Sequence, residues 1–264
     1  MTTNSLKRWA NLALLFALGP LTCSLPAAGR LLFDDYYQKP RADEQYGQGV
    51  ARGGVELRNL SNFYSPDATG IPNGTFVFAE LIAEKFELEV SRQPISAALL
   101  EDVAVYMLVC PVRAEHGGRA DLTREDAAVL AEFVANGGRL VLVANSIPDP
   151  EKSGMDFAGN LIGARFGGKF QPTQTDTISI PIAADHPMFD DVSDVIFGNG
   201  ATIAVSPVDE SDAQVLWESH RGGVPGPVGV IFNHQKGKVL MLGDAGTLGN
   251  AHALRGDVGQ AEAL

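Results

Sequence analysis

Val103–Cys110 reads VAVYMLVC and Arg139–Ala144 reads RLVLVA, with TREDAAVLAEFVANGG, Thr123–Gly138, lying between them. Neither apolar run alternates with polar residues, so both are expected to be strands buried on two faces, as happens in parallel sheets. The stretch between them carries the helical period. Ala127, Leu130, Ala131 and Val134 fall on one face, Thr123 and Asp126 have the spacing of a capping pair, and Asn136-Gly137-Gly138 ends the element. Strand, helix, strand with both strands apolar throughout is a βαβ unit.

Outward from this unit, Arg30–Asp35 (RLLFDD) is expected to be a first strand closing on two carboxylates, and Glu87–Val90 a short one. Phe78, Leu81, Ile82 and Phe86 predict a helix from Thr75 to Phe86, and Met155–Phe166 predicts another, closed by Gly167-Gly168. Beyond Lys169 the pattern becomes strand after strand: Thr177–Ile182, Thr202–Val205, Gln214–Glu218, Val228–Asn233 and Lys238–Gly243. The last two are joined as a hairpin through His234-Gln235-Lys236-Gly237. The expectation is an α/β three-layer sandwich with a mainly parallel, flavodoxin-like sheet and an antiparallel C-terminal hairpin. One domain over residues 30–264 is the simplest account, since neither a repeat nor a linker is visible.

The N-terminus reads differently. Lys7 and Arg8 precede an apolar run from Ala10 to about Leu21, broken by Gly19-Pro20 and followed by small residues at Ala27, Ala28 and Gly29. This is the pattern of a cleaved signal peptide over residues 1–29, and the apolar run is too short to span a bilayer. A periplasmic or secreted location follows, with no membrane span after cleavage. Of the 264 residues 45% are hydrophobic and 20% charged, as in ordinary globular proteins. The formal charge is −12, and loss of Lys7 and Arg8 with the leader makes it −14, which argues against nucleic acid as a partner. Cleavage also removes Cys23, so Cys110 remains alone and neither a disulfide nor a cysteine-rich zinc site can form within the chain.

The order LLFDD, long loop, VAVYMLVCP, TREDAAVLAEFVANGGRLVLVAN, DHPMFDDV and KGKVLMLGDAG resembles class I glutamine amidotransferase-like domains, in particular their exported, uncharacterised members and the trehalose-utilisation-type branch. The resemblance implies their fold. Their chemistry needs a Gly-x-Cys-x-Gly elbow after the strand that is RLVLVA here, and this chain has Asn145-Ser146-Ile147-Pro148 instead. Cysteine-based glutamine hydrolysis is therefore excluded at that position.

In parallel α/β sheets ligands sit outside the carboxyl ends of the strands, which directs attention to a small set of residues. Ser146 stands where the nucleophile would be, either as a nucleophile or as a turn-capping serine. His252 follows the last strand beyond Asp244, and His186 sits beside Asp185, so both are candidate bases. Asp34, Asp35 and Asp244 are expected to be able to meet at the sheet edge, where with His252 they would suit a hard divalent cation such as calcium, or act as ligand acceptors. Asn145 and, in the aromatic-rich loop 36–74, Tyr64 are candidate contacts for a small molecule or glycan. Cys110 reads as an inert core thiol, and His116, His220 and His234 as residues of polar loops and turns. Two functions remain open. One is an exported hydrolase of a small ester, lactone, amide or glycan-derived substrate. The other is a non-catalytic small-molecule or sugar-binding domain. Mass spectrometry of the exported product is expected to give a chain starting near Arg30; an intact Met1 species in the cytosol would rule out the leader.

Overall fold

The computed structural model describes residues 29–38, 86–116, 118–145, 157–173, 178–181, 194–197, 200–219 and 225–248. The expected signal peptide (all but Gly29) and the expected helix from Thr75 (all but Phe86) lie outside them. So do Tyr64, Ser146, His186, His220 and His252.

Seven strands form the main sheet in the order β2-β1-β3-β4-β11-β10-β9. They are β1 (Arg30–Asp34), β2 (Glu87–Ser91), β3 (Val103–Val109), β4 (Arg139–Val143), β9 (Ser211–Ser219), β10 (Gly226–His234) and β11 (Gly237–Leu242). The first five strands across the sheet are mutually parallel, whereas β10 runs antiparallel to both β11 and β9. The expected mainly parallel sheet with a hairpin at its end is what the chain adopts. The order β2-β1-β3-β4 followed by a fifth parallel strand is that of flavodoxin-like sheets, whose chain direction reverses between β1 and β3. Here the fifth parallel position is filled by the second arm of the hairpin rather than by a helical crossover.

The sheet carries apolar side chains on both faces. Leu31, Phe33, Val105, Met107, Val141, Val143, Leu240 and Leu242 build one cluster. Leu32, Tyr106, Leu108, Leu140, Leu142, Val239 and Met241 build the other. Against the second cluster packs α1 (Arg124–Ala135) through Ala127, Leu130 and Val134. Thr123 caps it, its hydroxyl accepting from Asp126 N while the Asp126 carboxylate accepts from Thr123 N, so the first turn's free donors are satisfied.

Two sequence expectations need correction. The helix expected over Met155–Phe166 is, among the described residues, only the single turn α2 (Asn160–Gly163). Gly159 and Gly163 weaken helix formation there, and Gly163 lies so close to the sheet that an added Cβ would sit 2.9 Å from the Met241 methyl. Gly168, expected to stop a helix, instead opens β5 (Gly168–Phe170), which pairs with β8 (Ile203–Val205). A further ribbon joins β6 (Ile178–Pro181) to β7 (Asp194–Phe197).

Gly229 shows how tightly the hairpin is fitted. It stands where the β9–β10 register shifts, and a Cβ there would lie 2.0 Å from Cε3 of buried Trp217. The indole cannot withdraw without disturbing the core around it. Gly229→Ala is expected to destabilise the fold by about 1–3 kcal/mol, read as a lowered midpoint in urea denaturation with unchanged slope.

Candidate functional site at the carboxyl edge of the sheet

The parallel strands end side by side, and the residues at or just beyond their ends run across the sheet as Ser91, Asp34-Asp35, Cys110, Asn145 and Asp244. The point where strand order reverses lies between β1 and β3, so the crevice belongs to Asp34 and Cys110. Asp34 is fully buried. One carboxylate oxygen accepts from Tyr36 N at 3.2 Å and Tyr37 N at 2.9 Å, and the other accepts from the Tyr106 hydroxyl at 2.5 Å. The turn leaving β1 is thereby folded back over the sheet, and Val112 N donates to Tyr37 O at 2.9 Å to tie it to the chain after β3.

Burial lifts the Asp34 carboxyl to about 6, with the neighbouring Asp35 charge adding to the rise, although the hydrogen bonds from Tyr106, Tyr37 and Tyr36 pull the other way. The Tyr106 phenol is pushed far up, first by burial and then by the charge of Asp34. Tyr37 is raised by burial and by the Asp126 carboxylate beside it. The three side chains Asp34, Tyr106 and Tyr37 with Asp126 thus make one buried acid–phenol cluster joining β1, β3 and α1.

Around this cluster the surface is polar and aromatic. The Arg119 guanidinium stands 5.6 Å from the centre of the Tyr36 ring, and Tyr36 meets Tyr37 edge to face. Gln38 donates through Nε2 to Asp34 O at 2.7 Å. Its other amide atom, Oε1, is buried and accepts from no donor among the described residues. Cys110 adopts a left-handed backbone with φ of 46°, a conformation a non-glycine residue rarely takes, and its N–H donates to Val143 O.

The carboxylates do not gather. Asp35 is turned to the opposite face from Asp34 and binds Arg92 at 3.1 Å. Asp244 lies two residues beyond β11, which is separated from β1 by β3 and β4, a distance of about 14 Å at the usual strand spacing. Oxygen ligands of one calcium ion lie within about 5 Å of each other. Asp34, Asp35 and Asp244 therefore cannot share a cation, and among the described residues no group of three or more His, Cys, Asp or Glu could hold one. The expectation that the first and last parallel strands meet fails because β3 and β4 are inserted between them. Asn145 and Asp244 do lie on neighbouring strands, since β4 and β11 pair directly. His234, expected to be solvated, is buried at the end of β10, where Nδ1 contacts the Ser211 hydroxyl at 3.0 Å and the ring packs on Phe166.

Sequence reasoning missed Tyr106, Gln38, Arg92 and Arg119. Tyr106 left one signal: its phenol is the only hydroxyl in an otherwise apolar buried run, and such a group needs a partner.

Residues 69–264 match the domain of unknown function DUF4350. The chain belongs to that family. This overturns the resemblance to class I glutamine amidotransferases. The motifs that suggested it, apolar strands, a Gly-Gly helix stop and a tight hairpin, are what any parallel α/β sheet requires, so their order identified the sheet and not the family. In this DUF4350 chain β1 lies before the matched span yet occupies an inner position in the sheet. No curated protein matches the sequence. Among solved structures it is similar to the mmIFT52 N-terminal domain, with 14% identity and a TM-score of 0.55 over 88% of this chain and 96% of that one. The cytoplasmic protein STM3548 from Salmonella typhimurium aligns at 11% identity and TM-score 0.49, over 82% of this chain and 87% of that one. The exo-β-1,4-mannosidase Op5Man5 from Opitutaceae bacterium strain TAV5 aligns at 15% and 0.47 over 88% of this chain, which spans 34% of its length. At these identities the likeness is one of fold alone.

Asp34 gives the DUF4350 chain a defined pH signature. A carboxyl raised from 3.8 to about 6 on folding contributes stability that is full below its unfolded value and is lost as pH rises through about 6. Relative to Asp34→Asn, the wild type is expected to lose about 2.4 kcal/mol of unfolding free energy between pH 4 and pH 7. Urea denaturation of both proteins across that range measures it, and a flat difference would show that Asp34 titrates normally. Tyr106→Phe removes the phenol donor and is expected to cost about 1.5–3 kcal/mol at pH 7 while moving the Asp34 midpoint further up.

Proposed function

We propose that this chain is an exported, non-catalytic binding domain for a small polar ligand rich in hydroxyl groups, such as a sugar, docking where β1 and β3 end. The observation that carries the reading is the pairing of polar groups at that point. The Asp34 carboxylate, the obvious reactive group, already accepts from two backbone amides and a phenol, so it is committed to holding the turn and is poorly disposed to act as a base or metal ligand. Beside it Gln38 Oε1 is a buried acceptor with no donor among the described residues. A buried acceptor left unmet costs about 1–3 kcal/mol, and a ligand hydroxyl supplies the missing donor. Nearby, exposed Arg119 stacked on half-buried Tyr36 forms an aromatic and cationic surface suited to a sugar ring.

The hydrolase reading loses its main support once the acidic residues are seen to stand on different faces and distant strands. It would rest on Ser146 and His252 alone. Export rests on the leader pattern of residues 1–29 and is part of the same proposal.

Calorimetric titration with a panel of mono- and oligosaccharides tests the reading. At least one is expected to bind, and Gln38→Met, which keeps the volume and removes the amide, is expected to weaken it by roughly tenfold. Hydrolysis of ester or lactone probes by the wild type, lost in Ser146→Ala, would replace the binding reading with the hydrolase one.

A further inference from the structure

The opposite, amino-terminal edge of the sheet carries a second polar grouping. Arg139 opens β4, Lys238 is its register partner on β11, and Asn233 is the register partner of Lys238 on β10. Register partners share a face, so the three side chains stand in a row at intervals of about 5 Å. Strand alternation puts that row on the face of Val141, Leu240 and Ile231. Apolar Val105 and Leu31 continue the row on one side, and exposed Asp212 ends it on the other.

Arg139 is 5% exposed. Among the described residues its guanidinium makes no ion pair and donates no hydrogen bond, and the same holds for the Lys238 ammonium and for the Asn233 side-chain amide. The Arg139 nitrogens are not among the enclosed atoms that lack a partner, so the guanidinium tip reaches the exterior from a buried stem. Burial lowers Arg139 from its ordinary value, and Lys238 is lowered by burial and then by the charge of Arg139. Two adjoining cations are held together against their own repulsion, in a chain with twelve more acids than bases, without an acid between them. Structure alone gives no reason for this, since a leucine or threonine at either position would satisfy a sheet at lower cost.

We propose that Arg139, Lys238 and Asn233 form an anion-binding site for a phosphate or carboxylate group at the amino-terminal edge of β4, β11 and β10. The guanidinium supplies a planar fork, the ammonium a second charge and the amide a neutral donor, which together match the oxygens of one tetrahedral or carboxylate anion. The site lies at the other end of the strands from the β1–β3 crevice and does not depend on what binds there.

The test uses the intact chain at constant ionic strength made up with chloride, titrated separately with inorganic phosphate and with succinate. Thermal denaturation and NMR are the readouts. At least one anion is expected to raise the Tm saturably and to shift the Arg139 Nε–Hε and Asn233 side-chain amide signals. A response to phosphate alone assigns a phosphorylated ligand, and a response to succinate alone a carboxylate. Lys238→Gln and Asn233→Ala, both only half-buried, are expected to weaken that anion by roughly tenfold or more. The first is also expected to raise the ligand-free Tm by relieving repulsion. Lys236→Gln removes an equal charge from the exposed neighbouring turn and is expected to leave affinity within about twofold. If neither anion stabilises the chain beyond chloride, or if Lys238→Gln binds as wild type does, the site does not exist.

Discussion

The inner parallel strands carry apolar groups on both faces, the ladder satisfies their backbone, and the one phenol buried among them, Tyr106, meets Asp34. Leu108, Leu140, Leu142, Val143 and Val109 are all wholly buried, and a polar side chain in their midst would have to bring its own partner. Chemistry is thereby driven to the two ends of the strands. At the carboxyl end the strands release Asp34, Asp35, Asn145 and Asp244. At the amino end they begin with Arg139 and Lys238.

The edges differ in how far their polar groups are matched. Asp34 is a buried acid whose neighbours were supplied by the fold: a phenol from the next strand and two amides from its own turn. That arrangement converts a burial penalty into a fixed exit direction for the chain, and Tyr37 passes the constraint on to α1 through Asp126. Among the described residues, Gln38 Oε1 and the Arg139–Lys238 pair have no such neighbours. Each is a cost the folded chain carries unless something from outside meets it, and a ligand that meets it adds stability in proportion to its occupancy. The same physics, applied to matched and unmatched groups, separates residues that hold the fold from residues available to a partner.

Much of the sheet was legible in the sequence because its signals are local. The unbroken runs at Val103 and Arg139 forced buried strands, and Thr123 with Asp126 forced a helix start. The hairpin followed from a short polar turn between two apolar runs, with Gln235 taking the left-handed φ of 49°. The site was less legible because it depends on strand order. Asp34 and Asp244 look alike in sequence, each an acid closing an apolar strand, and only the insertion of β3 and β4 between β1 and β11 keeps them apart. Tyr106 and Asp34 are 72 positions apart, and no periodicity links them. The helix expected from Met155 failed for a local reason, since the apolar period was there but Gly159 and Gly163 served close packing against the sheet.

Arg139 shows where a reading by pattern stops being useful. RLVLVA is a buried strand whether its first residue is arginine or valine, so the pattern assigns the arginine no role of its own. In the sheet that edge is covered: the arginine shares a face with Val141 and Val143, its neighbour across the ladder on one side is Val105, and on the other it meets a second cation. A local choice that disagrees with its surroundings, in a sheet otherwise consistent at every level, is where a folded protein gives up stability for something else. The disagreement also fixes what that something must be. Two positive charges and an amide, set about 5 Å apart on a half-apolar ledge, are complementary to a small anion and to little else.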